Sequence, residues 1–498
     1  MRILKLLLRS RGLSKGAHAA VCGNVNSSKS VLEQSYRGKD IMFDLNEAIY
    51  NRYIAKTKRS PTQTVGLEFE LPIINLKNEP VDFSVVHDVT EKFVCQFPFT
   101  EISRDDDGFI YSAGEPGTGD NLSFDCSYNT LEFSFGKESD INLLQERFKK
   151  YYAYVRKELL KADHTITGMG INPHYDLNRN VPVLSERYRM LFHHLCSYRI
   201  YENQILFHDH PNFGLFTSAS QVQLDVSAED LPEVLNTFSL LEPLKALILA
   251  NSPWGEEQEI LCSRDNFWRN SLQGLNRHNV DMYGLEFEST DEIIEYIRSM
   301  SLYCVMRDGK YINFHPTPLP EYFSADSVTG EFFDGERYSS ITFHPEPGDL
   351  EYLRSYKFED LTFRGTIEFR SVCEQPVSEI FASGAMHAGL MNNIHALTEL
   401  LAADHVIYHH GFNASELRRL FVRRDLPDAF DWKQVSGLIT DVLDIAREGL
   451  KLRGLDEETF LDPLYARAES LMSPARELAN GISSGRTMEY YIEKFGVL

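Results

Sequence analysis

The stretch Thr64-Val65-Gly66-Leu67-Glu68-Phe69-Glu70-Leu71 predicts a β-strand with two acids on one face. Its apolar residues alternate with Glu68 and Glu70, and successive side chains of a strand point to opposite faces. Two neighbouring carboxylates on a half-buried strand repel each other and resist burial. They persist most naturally when a cation lies between them. The alternative is an ordinary amphipathic strand whose acidic face is in water.

Two later segments repeat this pattern of an apolar residue, a glutamate and a phenylalanine. Residues 131–135 carry Glu132, and residues 367–370 carry Glu368; Asp125 precedes Glu132 across a turn-like stretch. A sheet that gathers these acids with Glu68 and Glu70 on one face would form an oxygen-rich cage. Such ligands suit Mg²⁺ or Mn²⁺ and do not suit zinc.

Arginines and amides accompany the acidic segments. Arg364 and Arg370 bracket Glu368, and Mg²⁺ beside arginine is typical of sites that bind ATP phosphates. Gln221 and Gln223 alternate with apolar residues on a fourth predicted strand, where amides can orient a substrate or bind a metal through oxygen. An ordinary exposed strand face fits that alternation equally well. Arg264 is a candidate carboxylate clamp, with a surface ion pair as the alternative.

Residues 284–288 copy the first motif, Gly-Leu-Glu-Phe-Glu, but we expect a different structure for them. Ser289 and Glu292 follow with the spacing of a capping box, which predicts that this copy leads into a helix at the surface. Residues 310–350 are rich in Pro, Phe and Tyr and predict an excursion over the sheet, and residues 377–402 predict one long helix.

Composition narrows the classes of function. The chain has 498 residues and a formal charge of −23, which argues against a general nucleic-acid surface. Seven scattered Cys without a Cys-x-x-Cys pair favour reduced thiols and a cytoplasmic location. No apolar run reaches the roughly 18 residues of a membrane span. Residues 1–32 carry no Asp or Glu, so that an organelle transit peptide or a disordered leader is expected there.

Taken in order, these segments resemble the glutamate–cysteine ligase family of the glutamine synthetase-like carboxylate–amine ligases. Residues 66–70 resemble the first metal strand of that family, and Asp125 with Glu132 has the acid spacing of its bacterial branch. Residues 217–229 resemble the Thr…Gln-Val-Asn-Leu-Asp segment of the plant-type branch, with Gln223 in place of Asn. Residues 364–370 resemble the closing Glu-x-Arg strand. The resemblance covers roughly residues 60–400.

The resemblance implies an α+β fold in which a curved, mainly antiparallel β-sheet forms a funnel with helices packed outside. A basic leader (1–42), a ligase domain (43–400) and a helical C-terminal region (401–498) are expected. ATP would enter one end of the funnel and the amino acids the other. Arg370 would face the transferring phosphoryl group. The implied substrate-binding residues are Gln221, Gln223, Arg264 and Arg364, and the implied Mg²⁺ or Mn²⁺ ligands are Glu68, Glu70, Asp125, Glu132 and Glu368.

The implied reaction is ATP-dependent formation of γ-glutamylcysteine from glutamate and cysteine through a γ-glutamyl phosphate, the first step of glutathione-type thiol synthesis. Metal ions and arginine offset the repulsion between the attacking carboxylate and the triphosphate. The alternatives are a sister ligase with another amine acceptor, a guanidino kinase of the same superfamily, and a non-catalytic nucleotide-binding relative. Neither a nucleic acid nor a membrane is expected as a partner, and the sequence leaves the oligomeric state open.

Overall fold

The computed structural model describes residues 43–200, 212–255 and 258–498, so the predicted leader at residues 1–42 lies outside the described residues. Its largest sheet has nine strands among these residues, and all neighbouring strands are antiparallel. In sheet order they are β14 (Glu359–Leu361), β15 (Thr366–Phe369), β7 (Ser220–Asp225), β1 (Val65–Asn75), β5 (Thr130–Ser134), β4 (Asn121–Phe124), β3 (Ile110–Gly114) and β2 (Thr100–Arg104), with β6 (His164–Ile166) paired to the end of β1.

A second sheet occupies the region predicted as an excursion. Four strands form an antiparallel sheet, and the last three lie within residues 310–350: β9 (Ser301–Arg307), β10 (Lys310–Pro318), β11 (Val328–Phe333) and β12 (Tyr338–Phe343). The sequence did not predict these strands; Pro316 and Pro318 lie in the last part of β10, where the pairing with β9 is irregular between Asn313 and Thr317. β8 (Val280–Asp281) pairs in parallel with β13 (Tyr356–Lys357).

Fifteen α-helices lie among the described residues. The predicted helix at 377–402 is divided at Asn393, which ends one helix and precedes the next. The copy of the first motif leads into a helix that Ser289 caps, as predicted. The helices are α1 (Leu45–Arg52), α2 (Phe83–Gln96), α3 (Ile141–Leu160), α4 (Glu186–Cys196), α5 (Leu231–Leu249), α6 (Ser263–Arg269), α7 (Thr290–Arg298), α8 (Leu319–Ser324), α9 (Ala382–Asn392), α10 (Ile394–Ala402), α11 (Ala414–Phe421), α12 (Trp432–Arg453), α13 (Asp462–Ser470), α14 (Pro474–Ser483) and α15 (Met488–Phe495).

Helices cover the apolar face of the large sheet. Phe69 of β1 is fully buried and packs edge-on against Phe148 of α3 and Phe381, with ring centroids 5.3 and 5.1 Å apart. Because side chains alternate along β1, this packing directs Glu68 and Glu70 to the opposite face. The α+β class with a mainly antiparallel sheet and helices outside is therefore confirmed.

Helices α11, α12 and α13 of the C-terminal region belong to the same hydrophobic core as the sheet, whereas buried residues of α14 and α15 form smaller clusters. α9 and α12 approach closely through glycines: a Cβ on Gly389 would lie 2.2 Å from the Ala446 carbonyl oxygen, and one on Gly449 would lie 1.9 Å from the Gly389 carbonyl oxygen. The domain boundary after residue 400 stays a prediction. None of the described helices is both long and apolar enough to span a bilayer.

Candidate active site

The structure brings the predicted acidic residues together on the polar face of the large sheet. β5 and β7 flank β1, so Glu70 lies directly opposite Glu132, and Glu68 lies opposite Gln221. Glu368 lies next along, on β15, which pairs with β7. All four glutamates are at most 7% exposed. The alternative of an acidic face in water is therefore wrong for these strands.

Hydrogen bonds from neighbouring strands hold the Glu70 carboxylate. The Gln221 side-chain amide donates to Glu70 Oε1 at 2.6 Å, and the Ala219 backbone N–H donates to Oε2 at 2.6 Å. The Glu70 backbone N–H donates in turn to Glu374 Oε2 at 2.7 Å. These contacts fix the orientation of Glu70 before any ligand is present.

The two arginines that bracket Glu368 in sequence reach different partners. Arg370 forms an ion pair with Glu368. Arg364 donates to Gln223 Oε1 at 2.7 Å. The turn that carries Arg364 requires glycine at position 365, which has a φ of +71° and where a Cβ would lie 2.1 Å from the carbonyl group of Lys56.

One cavity opens above the acidic cluster, with an empty volume of about 1120 Å³. Five predicted metal ligands line it, together with Gln221, Arg264 and Arg370 of the predicted set. We call it the arginine-rich cavity because four guanidinium groups line it: Arg187, Arg264, Arg354 and Arg370.

A second cavity, of about 1260 Å³, lies toward the β2–β3–β4 side of the sheet. Gln223 and Arg364 of the predicted set line it, and so does the glycine-containing segment at residues 114–120. We call it the glycine-loop cavity. Glu68 lines both cavities. The four predicted substrate-binding residues are thus divided, with Gln221 and Arg264 in one cavity and Gln223 and Arg364 in the other.

Burial makes the acidic cluster electrostatically costly. Burial raises the pKa of Glu68 to about 7, and the nearby Glu368 and Glu132 carboxylates contribute to this rise. Burial and the Asp125 carboxylate raise the pKa of Glu70 well above its usual value. Burial also raises the pKa of Asp125. A divalent cation would relieve this cost, because it stabilises the ionised form of every carboxylate near it.

Comparison with known proteins gives a consistent set of relatives, although no protein-family model matches the chain. A chloroplastic glutamate–cysteine ligase A of Oryza sativa subsp. indica is 24% identical over 329 residues, which cover 63% of this chain and 60% of the relative. The chloroplastic enzymes of Solanum lycopersicum and Nicotiana tabacum are 21% and 22% identical over 62% of this chain and 56% of their own lengths. These matches confirm the relationship to the glutamate–cysteine ligases.

The chain spans about 60% of the length of the first glutamate–cysteine ligase that it matches. Among solved structures, the glutamate–cysteine ligase of Francisella tularensis in complex with AMP superposes with a TM-score of 0.43 at 10% identity, over 87% of both chains.

The donor atoms of the cluster fit the magnesium ion that a glutamate–cysteine ligase would use. They are all oxygens, and Gln221 Oε1 is a further buried oxygen without a hydrogen-bond partner among the described residues. Within the described ranges, no group of three or more His, Cys, Asp or Glu side chains is arranged so that it could hold a metal ion. Mg²⁺ is usually held by one or two carboxylates together with water and phosphate oxygens, so the cluster would suit an ion that arrives with ATP phosphates.

Sequence reasoning missed several residues that line the arginine-rich cavity. Arg187 lies on α4, and its Nη1 atom is buried without a hydrogen-bond partner among the described residues. Arg354 is 8% exposed and donates to backbone carbonyls. Tyr356 also lines this wall. These positions carry no alternating pattern, so their only signal in the sequence was the density of arginine and tyrosine around them.

Proposed function

We propose that this protein is an ATP-dependent carboxylate–amine ligase that joins the γ-carboxylate of glutamate to the amine of cysteine. The observation that carries the proposal is the cluster of four buried glutamates in the wall of the arginine-rich cavity, one of which, Glu68, also lines the glycine-loop cavity. This arrangement supports a reaction in which a carboxylate and a triphosphate meet, because cations must offset the charge of both. The product would be γ-glutamylcysteine, which feeds glutathione-type thiol synthesis.

The two cavities differ in ways that suit different substrates. The glycine-loop cavity has apolar walls formed by Ile102, Pro116 and Phe135, which suit a nucleotide base. The arginine-rich cavity suits the carboxylates of amino acids, because guanidinium groups bind carboxylates through paired hydrogen bonds. The triphosphate would lie between them, beside Glu68.

The residues of the chain would act by position and charge. The glutamate γ-carboxylate attacks the γ-phosphorus of ATP, and the bond to ADP breaks. Arg370 would stabilise the charge on the transferring phosphoryl group, and Arg264 would bind a substrate carboxylate. The cysteine amine then attacks the acyl phosphate, phosphate leaves, and the nitrogen loses its proton. Mg²⁺ or Mn²⁺ held by Glu68, Glu70, Asp125, Glu132 and Glu368 would neutralise phosphate charge.

The experiment is an assay of ADP release with ATP, Mg²⁺, glutamate and a panel of amines. We expect turnover that requires glutamate and cysteine together and that ends when EDTA is in excess. Turnover with a different amine would identify a sister ligase, and phosphorylation of a guanidino compound would identify a kinase. ATP binding without ADP release under any condition would identify the non-catalytic relative. Full turnover in excess EDTA would exclude the metal assignment.

A cytoplasmic location is part of this proposal, with organelle targeting through residues 1–40 as the alternative. The relatives named above are chloroplastic proteins. Fractionation of cells that express the full chain fused to a C-terminal reporter separates the two locations.

A further inference from the structure

A buried arginine from the C-terminal region lies directly behind the arginine-rich cavity. Arg418 is on α11 and is 2% exposed. Its guanidinium group meets Asp265 in a two-pronged contact, with Nε–Oδ2 and Nη2–Oδ1 distances of 2.7 and 3.1 Å. The same group forms an ion pair with Glu242 of α5. It also lies 4.5 Å from the ring centroid of Phe358. Asp265 and Phe358 both line the cavity.

These contacts converge on Ser371 and on the two peptide groups that follow Arg370. The Ser371 carbonyl oxygen accepts hydrogen bonds from Arg418 Nη2 at 3.4 Å and from Arg264 Nη1 at 3.3 Å. The Ser371 hydroxyl donates to Glu242 Oε1 at 2.9 Å. Arg264 Nη2 donates to the Arg370 carbonyl oxygen at 3.1 Å. The backbone on the C-terminal side of Arg370 is therefore held from three directions.

We propose that Arg418 is a positioning residue for the reaction: through Asp265, Glu242 and the Ser371 carbonyl, it fixes the backbone from which Arg370 reaches the acidic cluster. This inference rests on the proposed ligase function. It assigns a role in catalysis to a region in which the sequence shows no chemical motif of its own.

A purely structural ion pair would not need this arrangement. Buried ion pairs add little net stability, because the desolvation of both groups offsets their attraction. The planar guanidinium group of Arg418 instead fixes the relative orientation of its partners, because it binds two carboxylates and a backbone carbonyl group at once. A displacement of about 1 Å in a catalytic group costs on the order of 10² in rate, so that the geometry of this support affects turnover.

The test compares Arg418→Lys with a matched control, Arg453→Lys. Arg453 of α12 is an arginine of the same region, its side chain is 2% exposed, and it pairs with Glu457 and with the Gln63 carbonyl oxygen. It does not line the arginine-rich cavity. Both variants should lose stability. Well below both melting temperatures, Arg418→Lys should lower kcat by about 10–100-fold with KM for ATP changed less than about threefold. Arg453→Lys should keep kcat within about twofold. Equal kcat in the two variants would overturn the proposal.

A double variant distinguishes positioning from an independent effect. If Arg418 acts through Arg370, then Arg370→Ala combined with Arg418→Lys should be no more than about twofold slower than Arg370→Ala alone. Losses that multiply would overturn the proposal. Should Arg418→Lys fail to fold, Ser371→Ala removes only the hydroxyl contact to Glu242, and the same comparison applies with a smaller loss of kcat. An unchanged kcat in Ser371→Ala would then count against the proposal.

Hydrogen–deuterium exchange separates this inference from the proposed activity. The backbone amides of residues 370–373 should exchange faster in Arg418→Lys than in the wild type. The same is expected of Ser371→Ala if Arg418→Lys fails to fold. In Arg453→Lys their exchange rates should be unchanged. If the variants exchange as expected but the wild-type protein releases no ADP under any condition tested, the proposed function fails while the support of this backbone stands. If exchange at residues 370–373 is unchanged in Arg418→Lys or its replacement Ser371→Ala, the proposed positioning role of Arg418 fails, whatever the activity of the protein.

Discussion

Glu68 and Glu368 share one hydrogen-bond donor, although their strands are not neighbours in the sheet. The side-chain amide of Gln223, on the strand between them, donates to Glu68 Oε1 at 3.1 Å and to Glu368 Oε1 at 2.5 Å. Two buried carboxylates are thereby held close together in spite of their repulsion. The amide is a neutral donor and leaves both negative charges in place. A divalent cation beside the two carboxylates would offset these charges.

Replacement of Gln223 by Met should destabilise the protein. The change keeps the approximate length of the side chain but removes the donor to both carboxylates, and we expect the free energy of unfolding to fall by about 1–3 kcal/mol. Urea denaturation measures it. Gln434→Met, at an exposed position of α12, is the control and should change stability little. An equal effect of the two substitutions would contradict the shared-donor interpretation.

The acidic cluster should make Mg²⁺ binding depend on pH. The pKa of Glu68 is about 7 in the folded protein, above its usual value of 4.5. Because the folded state binds this proton more tightly, the contribution of Glu68 to stability is lost as pH rises from 4.5 through 7. A cation competes with that proton, so that Mg²⁺ should raise the melting temperature more at pH 8 than at pH 6. In Glu68→Gln this difference should shrink. A Mg²⁺ effect that is the same at both pH values would contradict the prediction.

Substitution of Glu368 or Arg370 should separate catalysis from stability. We expect Glu368→Gln and Arg370→Ala to lower kcat by about 10²–10³-fold while the proteins remain folded. Arg370→Lys should not restore the rate, because a point charge cannot replace the guanidinium fork. Glu286→Gln is the matched control, since Glu286 stands in the same Leu-Glu-Phe sequence but is exposed.

Melting temperature and kcat measured on the same preparations test that expectation. Because Glu368 and Arg370 form an ion pair, the competing explanation is that these residues only stabilise the sheet. Lower melting temperatures of Glu368→Gln and Arg370→Ala with near-normal kcat at low temperature would favour this stabilising role. They would contradict the assignment of Glu368 as a metal ligand.

Arg187 should control the affinity for an amino-acid substrate. Its buried guanidinium group lines the arginine-rich cavity and has an Nη1 atom without a partner among the described residues. Arg187→Met should raise KM for glutamate or cysteine by about 10–100-fold, the value of a charge-assisted hydrogen bond, with little change in KM for ATP. Arg189→Met, on the same helix but paired with Asp106, should leave all three constants nearly unchanged. A larger effect on ATP would place the nucleotide in this cavity.

Because of Lys357, the free energy of unfolding should increase as the pH rises above 7. Lys357 is fully buried and donates to the Val280 and Met282 carbonyl oxygens and to the Tyr296 hydroxyl. Burial lowers the pKa of Lys357 from 10.5 to about 7. The folded state therefore binds this proton less tightly, and the free energy of unfolding should rise between pH 7 and pH 10 by up to about 1.4 kcal/mol per pH unit from this group. Chemical denaturation of wild type and Lys357→Met gives the difference, and parallel pH profiles would contradict it.

The acidic strands could be predicted from sequence because alternation is a local signal. Glu68, Glu132, Gln221 and Glu368 each lie on a short alternating segment, so that the strand and the face of each followed directly from the pattern. Their assembly into one cluster depends on strand order, which alternation does not encode; there the family resemblance supplied the arrangement.

Residues on loops and helices could not be predicted in this way. Arg187 and Arg354 reach the cavity from elements whose sequence pattern reports only local packing, and their convergence is a property of the tertiary fold. The four-stranded sheet was missed because the strands β11 and β12 are exposed in part and mix polar with aromatic residues, which gives a weak alternation. Arg418 gave no signal at all, since a buried arginine on an amphipathic helix has the same sequence pattern as a surface arginine.

The position of Glu68 in the wall of both cavities has a kinetic consequence. If ATP enters one end of the funnel and the amino acids the other, as the family resemblance implies, ligands in the two cavities would meet at Glu68 without either covering the entrance used by the other. ATP and the amino acids could then bind in either order, and a non-reactive nucleotide analogue would not shut glutamate out. Initial-rate measurements would show intersecting lines for every substrate pair, and a dead-end analogue of one substrate would not abolish binding of the next.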